Sequence, residues 1–397
     1  MRDFLFIQCS TNLINKDNKK DVADSFYSGI YELKAKDGYF NGADFWEVPL
    51  WIAEISGSFK DYSKELYILH DVKEAARELE HKEIKHILLS VLEVNKAYYL
   101  ELIKEYKGAA TFLIGGYVDF TEFKQFNNVK IFSSIKALAE SFNIVYEHKT
   151  DYALFKGLKI IPRLNLSTGC LNRCKFCTIE KELKEFSLLD VINQAMSFKD
   201  LNFKLIYIND KTFGQAKNYN FLKYAYNVIK KYNADFKGFI IQTTASQALK
   251  PGFIAELKAL NVVIVELGLE SFNNEILKGL RKPHSPQQVQ KAVNLLHEAG
   301  LKVILNIIIG LIGENNLTYG NTLNYIKENI TKIYSLNIYN LAIYKETELG
   351  LEIGSKNAND LNELKTEKSF YNQEAVLSNK YFYDKIFNLG LEILRRG

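Results

Sequence analysis

A chain of 397 residues, 47% apolar and 13% aromatic, has enough material for two or three domains with sizeable cores, which excludes a disordered protein. Its formal charge of +4 is small for that length, so nothing marks a general nucleic-acid binder or a polybasic membrane anchor. The longest apolar run, 303–312, is interrupted by Asn306 and Gly310 and is too short to span a bilayer, so no membrane partner is expected.

Residues 4–9 read as a buried first strand. The apolar run that contains them is too short for a secretory signal and gives way to polar residues, so a soluble, cytoplasmic protein is expected. The next fifty residues show no regular pattern; Trp46 and Trp51, around Pro49, serve either core packing or a lid. From there the pattern is regular: a strand at 66–69, a helix at 72–79, a strand at 87–92, a helix at 96–106 and a strand at 111–114 ending at Gly115-Gly116. Strands alternating with helices predict a parallel, doubly wound sheet, which binds ligands at the carboxyl ends of its strands. Ser90-Val-Leu92 and Gly115-Gly116 stand at two such ends, although both are also ordinary turn chemistry. His70, His81 and His86 read as surface or strand-end histidines.

The densest chemistry is Ser167-Thr-Gly-Cys170-Leu-Asn-Arg-Cys174-Lys-Phe-Cys177. Thiolates spaced by three and then two residues can close on three corners of a four-iron, four-sulfur cluster and leave the fourth iron open. A structural zinc site would take four protein ligands, usually as two separated pairs. Here the remaining thiol, Cys9, is far away, and no histidine lies close to the loop. Three grouped cysteines and one leftover also fit a reducing compartment better than a disulfide framework.

Residues 157–163 lead into this loop as the first strand of a second domain. A helix follows, with Ser187 as N-cap, Asp190 completing a capping box, and Leu188, Leu189, Ile192, Ala195 and Met196 as its apolar face. Strands at 205–208, 239–242, 262–267, 303–309 and 336–344 alternate with helices, one bounded by Ser285-Pro286 and Gly300. Six strand-helix units make a partial (β/α)6 TIM barrel, whose active groups sit on the loops after the strands, where the cysteines also fall. Residues 357–397 read as polar helices with a stripe at Phe382, Ile386, Leu389 and Ile393, either covering the open side of the barrel or forming a partner surface. The expected architecture is α/β: a doubly wound, Rossmann-like domain over 1–152, the partial barrel over 153–352 and a C-terminal helical extension over 353–397.

The cysteine spacing, with the aromatic Phe176 before the third cysteine, resembles the cluster signature of the radical S-adenosylmethionine (SAM) enzymes. The first domain is similar to the cobalamin-binding domain in front of many of them, where an S-x-L turn and a later Gly-Gly flank the dimethylbenzimidazole tail. The resemblance implies a 4Fe-4S cluster on Cys170, Cys174 and Cys177, chelation of S-adenosyl-L-methionine by its open iron, and one-electron cleavage to a 5'-deoxyadenosyl radical. It implies an electron donor such as flavodoxin or ferredoxin. It further implies cobalamin at Ser90, Leu92, Gly115 and Gly116, although the D-x-H-x-x-G segment that carries a lower axial histidine is absent; His70-Asp71 has the wrong order.

SAM contacts are implied for Phe176; for Asp210, in Asn209-Asp210-Lys211-Thr212-Phe213; for Gln242; and for Glu266, Glu270 and Ser271, in a Gly-x-Glu-Ser segment. The segment Asn306-Ile-Ile308-Ile-Gly310-Leu-Ile-Gly313 resembles the one that borders the adenine, which implicates Asn306, Ile308 and Gly310. Asn-Asp is also common in turns, whereas a carboxylate in an apolar strand is costly unless paired. Residues 278–284 resemble a short Arg-rich loop of the family; taken alone they read as a solvated turn. Lys345-Glu-Thr347-Glu-Leu349 stands where many relatives have Pro-Gly-Thr-x-Leu, so the loop on the substrate side is altered.

The function expected from the resemblance is cobalamin-dependent methyl transfer to an unactivated carbon, the transferase reading. The alternative is cobalamin-independent hydrogen abstraction and rearrangement. Methylthio transfer is disfavoured because that family carries a second cluster on three cysteines in its first domain, where this chain has only Cys9. A catalytically inactive iron-sulfur binding protein is disfavoured by the three retained cysteines and the further site segments. The substrate is expected to be a small molecule, a peptide or a nucleobase.

Overall fold

The computed structural model describes residues 2–10, 13, 26, 38, 48–92, 94–116, 118–147, 149–341, 343–344, 346–354 and 380–396. Trp46, Lys345, residues 355–379 and the side chain of Phe382 lie outside the described residues. These fall in two compact units, one drawn from Met1–Lys19, Ala43–Ile161 and Asp200–Asn202, the other from Lys20–Gly42, Pro162–Lys199 and Phe203–Gly397.

In the first unit, β1 (Arg2–Cys9), β2 (Lys64–Leu69), β3 (Ile84–Val91), β4 (Thr111–Gly116) and β5 (Val129–Ile131) form one parallel sheet in the order β2-β1-β3-β4-β5. The helices are α1 (Leu50–Ser58), α2 (Val72–Glu80), α3 (Lys96–Glu105) and α4 (Ile135–Ser141). Phe4, Leu5, Phe6 and Ile7 are all buried, as an unbroken apolar run in a strand covered on both faces requires. Asp71 starts α2 by accepting from the Glu74 amide at 2.9 Å, and the helix buries Val72, Ala75, Ala76 and Leu79, a single stripe at helical spacing. Tyr99 of α3 donates its phenol to the Ile7 carbonyl at 3.0 Å. Burial pushes the Cys9 thiol up to about 11, which leaves it inert.

The chain turns one way from β1 to β2 and the other way to β3 and β4, so the switch point of this sheet lies at the carboxyl ends of β1 and β3. Ser90-Val-Leu92 stands there, with Gly115 opposite Ser90 and Gly116 opposite Val91. The two glycines are the last residues of β4 and not a turn beyond it. Gly116 has a φ of 136°, and a Cβ on it would lie 1.9 Å from the Val91 carbonyl oxygen. Replacing Gly116 by alanine is therefore expected to cost about 2–3 kcal/mol of stability. Gly157, with a φ of 87° and nothing within 4 Å of an added Cβ, should cost only about 1 kcal/mol on the same change. Urea unfolding of the two variants checks the contrast. His86 stacks on Phe4 near the start of β3, while His70 and His81 are exposed.

In the second unit, β6 (Arg163–Leu164), β9 (Leu205–Ile208), β10 (Gly238–Thr243), β11 (Val262–Glu270), β12 (Lys302–Ile309) and β13 (Ser335–Asn340) form a parallel sheet in chain order, the open partial barrel. β7 (Ser167–Thr168) and β8 (Lys184–Glu185) make a short antiparallel ribbon at the two ends of the cysteine loop. The helices are α5 (Leu188–Ser197), α6 (Leu222–Tyr232), α7 (Ala245–Ala248), α8 (Phe253–Ala259), α9 (Asn274–Gly279), α10 (Pro286–Glu298), α11 (Asn316–Glu328), α12 (Glu348–Gly354) and α13 (Lys380–Arg396).

Capping boxes at Ser187/Asp190 and Ser285/Gln288 open α5 and α10. The inward stripe of α5 differs from the expected one: Val191 and Ala195 are buried, followed by the C-cap Phe198, whereas Leu189 is 68% and Met196 50% exposed. The last two, seven residues apart, share a face turned away from the sheet. Of the expected first strand, Arg163 and Leu164 form β6 and Lys159 makes an isolated parallel bridge to Asn202; Pro162 between them accepts from the Tyr207 amide at 3.0 Å but has no amide hydrogen to give. The last strand stops at Asn340, short of the expected 344. α13 packs on α11 and on β13, the edge strand, burying Ile386, Phe387, Ile393 and Leu394.

Candidate active site

Cys170, Cys174 and Cys177 lie on the loop between β7 and β8, the first buried and the other two half-buried. The segment after β9 holds this loop. Asp210 is buried and accepts from the Leu166 amide at 3.0 Å, the Ser167 amide at 2.9 Å and the Ser167 hydroxyl at 2.8 Å. Burial raises its carboxyl to about 6, against these hydrogen bonds, which lower it. Both oxygens are thus engaged by the start of the cysteine loop. Thr212 Oγ1 lies 3.4 Å from Cys170 Sγ and accepts from Asn172 at 3.1 Å, and Gln215 accepts from the Leu171 amide at 2.9 Å. Gly169, with a φ of 82°, passes so close to the Glu182 carbonyl that a Cβ would lie 1.8 Å from it.

Among the described residues no three or more His, Cys, Asp or Glu side chains form a ready-made site for a single metal ion. The fit of this loop to an iron-sulfur cluster rests on its donor set, three thiols and no histidine, beside an open cavity of about 510 Å³ that Cys174 and Cys177 line together with Arg281 and Thr347. Burial raises the Cys174 thiol, an effect opposed by Lys282 and reinforced by Cys177 and Cys170.

Strand register gathers several expected site residues on one face of the barrel sheet. Arg163 pairs with Tyr207, and Tyr207 with Ile240; Gln242, two residues on, pairs with Glu266; Gly268 pairs with Asn306, and Asn306 with Asn337. At a two-residue period, Ile308 falls on the same face. The buried Glu266 accepts the Tyr207 hydroxyl at 2.9 Å, the Arg163 guanidinium stacks 4.3 Å over the Tyr207 ring, and Asn337 donates to Asn306 at 2.9 Å.

Glu270 follows a register shift in β11, has a left-handed backbone (φ 59°) and pairs with Lys282 at 2.7 Å. Gly268 makes room for that pair, since a Cβ there would lie 2.6 Å from Glu270 Oε1. Ser271 is buried, and its hydroxyl has no hydrogen-bond partner among the described residues. Phe176 and Ile308 pack in one apolar cluster with Ile276, Leu280, Leu311 and Leu349. The Gly310 amide faces Glu314 at 2.9 Å and Tyr319 at 2.8 Å; burial raises the Glu314 carboxyl to about 7 despite these contacts.

Sequence reasoning missed Lys282, Tyr207 and Gln215. The turn at 278–284 is not wholly solvated: Arg281 pairs outward with Glu348 at 2.7 Å, but Lys282 is only 8% exposed. Two-residue alternation would have found Tyr207 once the face of Glu266 was chosen. No local pattern marks Lys282 or Gln215.

Residues 164–326 match the family model of the Radical SAM superfamily. Among curated relatives, the threonylcarbamoyladenosine tRNA methylthiotransferase MtaB of Bacillus subtilis is 28% identical over 176 residues, 42% of this chain and 39% of that protein, so the match spans well under half the relative's length. Among solved structures, the radical SAM methyltransferase TsrM from Kitasatospora setae, with tryptophan substrate and a SAM analogue bound, superposes with a TM-score of 0.63 at 14% identity, covering 92% of this chain and 78% of that one. The cobalamin-dependent SAM radical enzyme OxsB with aqua-cobalamin bound gives 0.52 at 14% identity, over 93% and 57%. Identities this low speak for the fold alone, a doubly wound unit and a partial barrel. The family match begins on the first barrel strand and takes in the cysteine loop, so residues 164–326 are what this chain shares with the Radical SAM superfamily.

Proposed function

We propose that this chain cleaves SAM reductively at a cluster carried by Cys170, Cys174 and Cys177 and, with cobalamin, transfers a methyl group to an unactivated carbon. The observation that carries the reading is the pairing of two features in one chain. The chain carries a Radical SAM match on its barrel and, in its other unit, a parallel sheet of order β2-β1-β3-β4-β5 whose switch point presents Ser90-Val-Leu92 and the glycines of β4. Cluster and SAM fall to the unit that holds Pro162–Lys199, and cobalamin to the unit that holds Ala43–Ile161.

The residues of the switch point fit a ligand. Asn95 accepts from the Leu92 amide at 2.7 Å and donates to the Ser90 carbonyl at 3.1 Å, which fixes the turn, while no hydrogen bond among the described residues engages the Ser90 hydroxyl. When bound, the cluster supplies the electron that breaks the sulfonium bond and cobalamin carries the methyl group. The protein's part is to bind and orient. Glu266 and Glu270, with the unpartnered Ser271 hydroxyl, are the acceptors and donor offered to a ribose and an amino group; Asn306, Ile308 and Gly310 border the base. Phe176 and Ile308 supply an apolar wall that keeps water from the open corner. The partners are a low-potential electron donor of the flavodoxin or ferredoxin class and a small-molecule, peptide or nucleobase substrate.

A cobalamin-independent rearrangement has one observation in its favour. Among the described histidines of the first unit, His86 lies near the start of β3, away from Ser90, His81 follows α2, and His70 follows β2, outside the β1–β3 switch point. Methylthio transfer draws on the MtaB match, but the first unit has one cysteine, the buried Cys9.

Anaerobic purification with a cobalamin source decides among these. The expected protein holds about four irons and four sulfides per chain, shows a corrinoid absorbance spectrum and forms 5'-deoxyadenosine on reduction with SAM. Folded, cluster-loaded protein without corrinoid would reject the methylase form; neither cluster nor 5'-deoxyadenosine would reject the enzyme.

A further inference from the structure

Lys282 sits in the turn between α9 and α10, directly after Arg281, whose φ of 53° reverses the chain. The two cations part company there. Arg281 reaches outward to Glu348, while the Lys282 ammonium is 8% exposed and lies 2.7 Å from Glu270 Oε1, itself 9% exposed. The turn is stitched to the cysteine loop, since the Lys175 amide donates to the Leu280 carbonyl at 3.1 Å. Lys282 Nζ also stands 5.9 Å from the ring centroid of Phe176, and both Lys175 and Phe176 fall between Cys174 and Cys177. Burial alone would push the ammonium down, but Glu270, Cys174 and Cys177 together hold it up and charged.

A buried cation is kept only where something compensates it. Glu270 does so and fixes the ammonium in place, yet a single Lys–Glu pair in this interior gives no account of why it is set beside Phe176, between the second and third cysteines. We propose that Lys282 is a fixed counter-charge for the iron-sulfur cluster, favouring its reduced, more negative state and so raising its midpoint potential. Local charge and burial are among the terms that set such potentials, and a buried charge is screened far less than an exposed one. The inference rests on the cluster reading above. It makes Lys282 a positioning residue that acts through the cluster and not on substrate.

The test is an EPR-monitored redox titration of the reconstituted native chain, Lys282→Met, Lys282→Arg and the double variant Lys282→Met/Glu270→Gln. Native and variants should load equal iron and sulfide. Lys282→Met should titrate at a more negative potential than the native chain, with Lys282→Arg restored to it. The double variant, which leaves no lone carboxylate in the interior, should shift in the same direction as Lys282→Met. A native midpoint in either cluster-loaded Met variant overturns the inference. So does failure of both Met variants to hold a cluster, which makes Lys282 structural. A native chain that holds no cluster removes the reading of function as well, whereas an unchanged midpoint removes only the counter-charge.

Discussion

Replacing Cys174 by alanine is expected to leave a folded chain that retains no four-iron cluster and forms no 5'-deoxyadenosine when reduced with SAM. The side chain is half-buried in a loop that Asp210, Thr212 and Gln215 hold through Ser167, Cys170 and Leu171, so its loss takes little from the core. It does take one of three thiolates, and two cannot cage a cluster that must keep a fourth corner open. Cys9→Ala is the contrast: a buried thiol at the end of β1, its loss should cost about 1 kcal/mol of stability and leave iron, sulfide and 5'-deoxyadenosine unchanged. Iron and sulfide analysis with chromatography of the nucleoside reads both. Native amounts in Cys174→Ala would remove the cysteine loop from the chemistry.

The second large effect is expected at Asp210. Alanine there strands the Leu166 amide and both the amide and hydroxyl of Ser167 without their buried acceptor, at about 1–3 kcal/mol each, so a loss of several kcal/mol and poor iron loading should follow although every thiol is intact. Asparagine keeps an oxygen for the two amides and should be far milder. The pair also differs in pH dependence. Burial raises the Asp210 carboxyl from an ordinary 3.8 to about 6, so the fold favours its protonated form. That contribution is complete below about pH 4 and is lost as pH rises through about 6, roughly 3 kcal/mol in all. Relative to Asp210→Asn, the native chain should lose stability across that window in urea titrations; a constant difference would contradict the buried placement of the carboxyl.

Much of the fold was legible because its signals are local. Ser187 and Ser285 are followed at the third position by a side chain that returns the cap, and both helices begin there. Apolar runs such as 303–309 read as strands buried inside a sheet, and β12 lies between β11 and β13 in a six-stranded one. The errors are also physical. The inward stripe of α5 depends on which side the sheet lies, and Leu189 and Met196 are as apolar as the residues that it buries. The turn at 278–284 carries three cations, and its composition alone does not reveal that Lys282 turns inward while Arg281 turns out.

Spacing within eleven residues, caps within four and strand periods of two determined from the sequence alone that the chain is α/β, where its barrel strands run and which loop holds three thiols. Only the tertiary structure decided that Asp210 braces the start of that loop, that Tyr207 answers Glu266, and that Glu270 is locked to Lys282 beneath Phe176. Those contacts join residues 43, 59 and 12 positions apart, on different strands and loops. A buried carboxylate announces that it needs a partner, but which donor reaches it is set by strand register and by where glycines let backbones approach, and neither is written in the residues next to it.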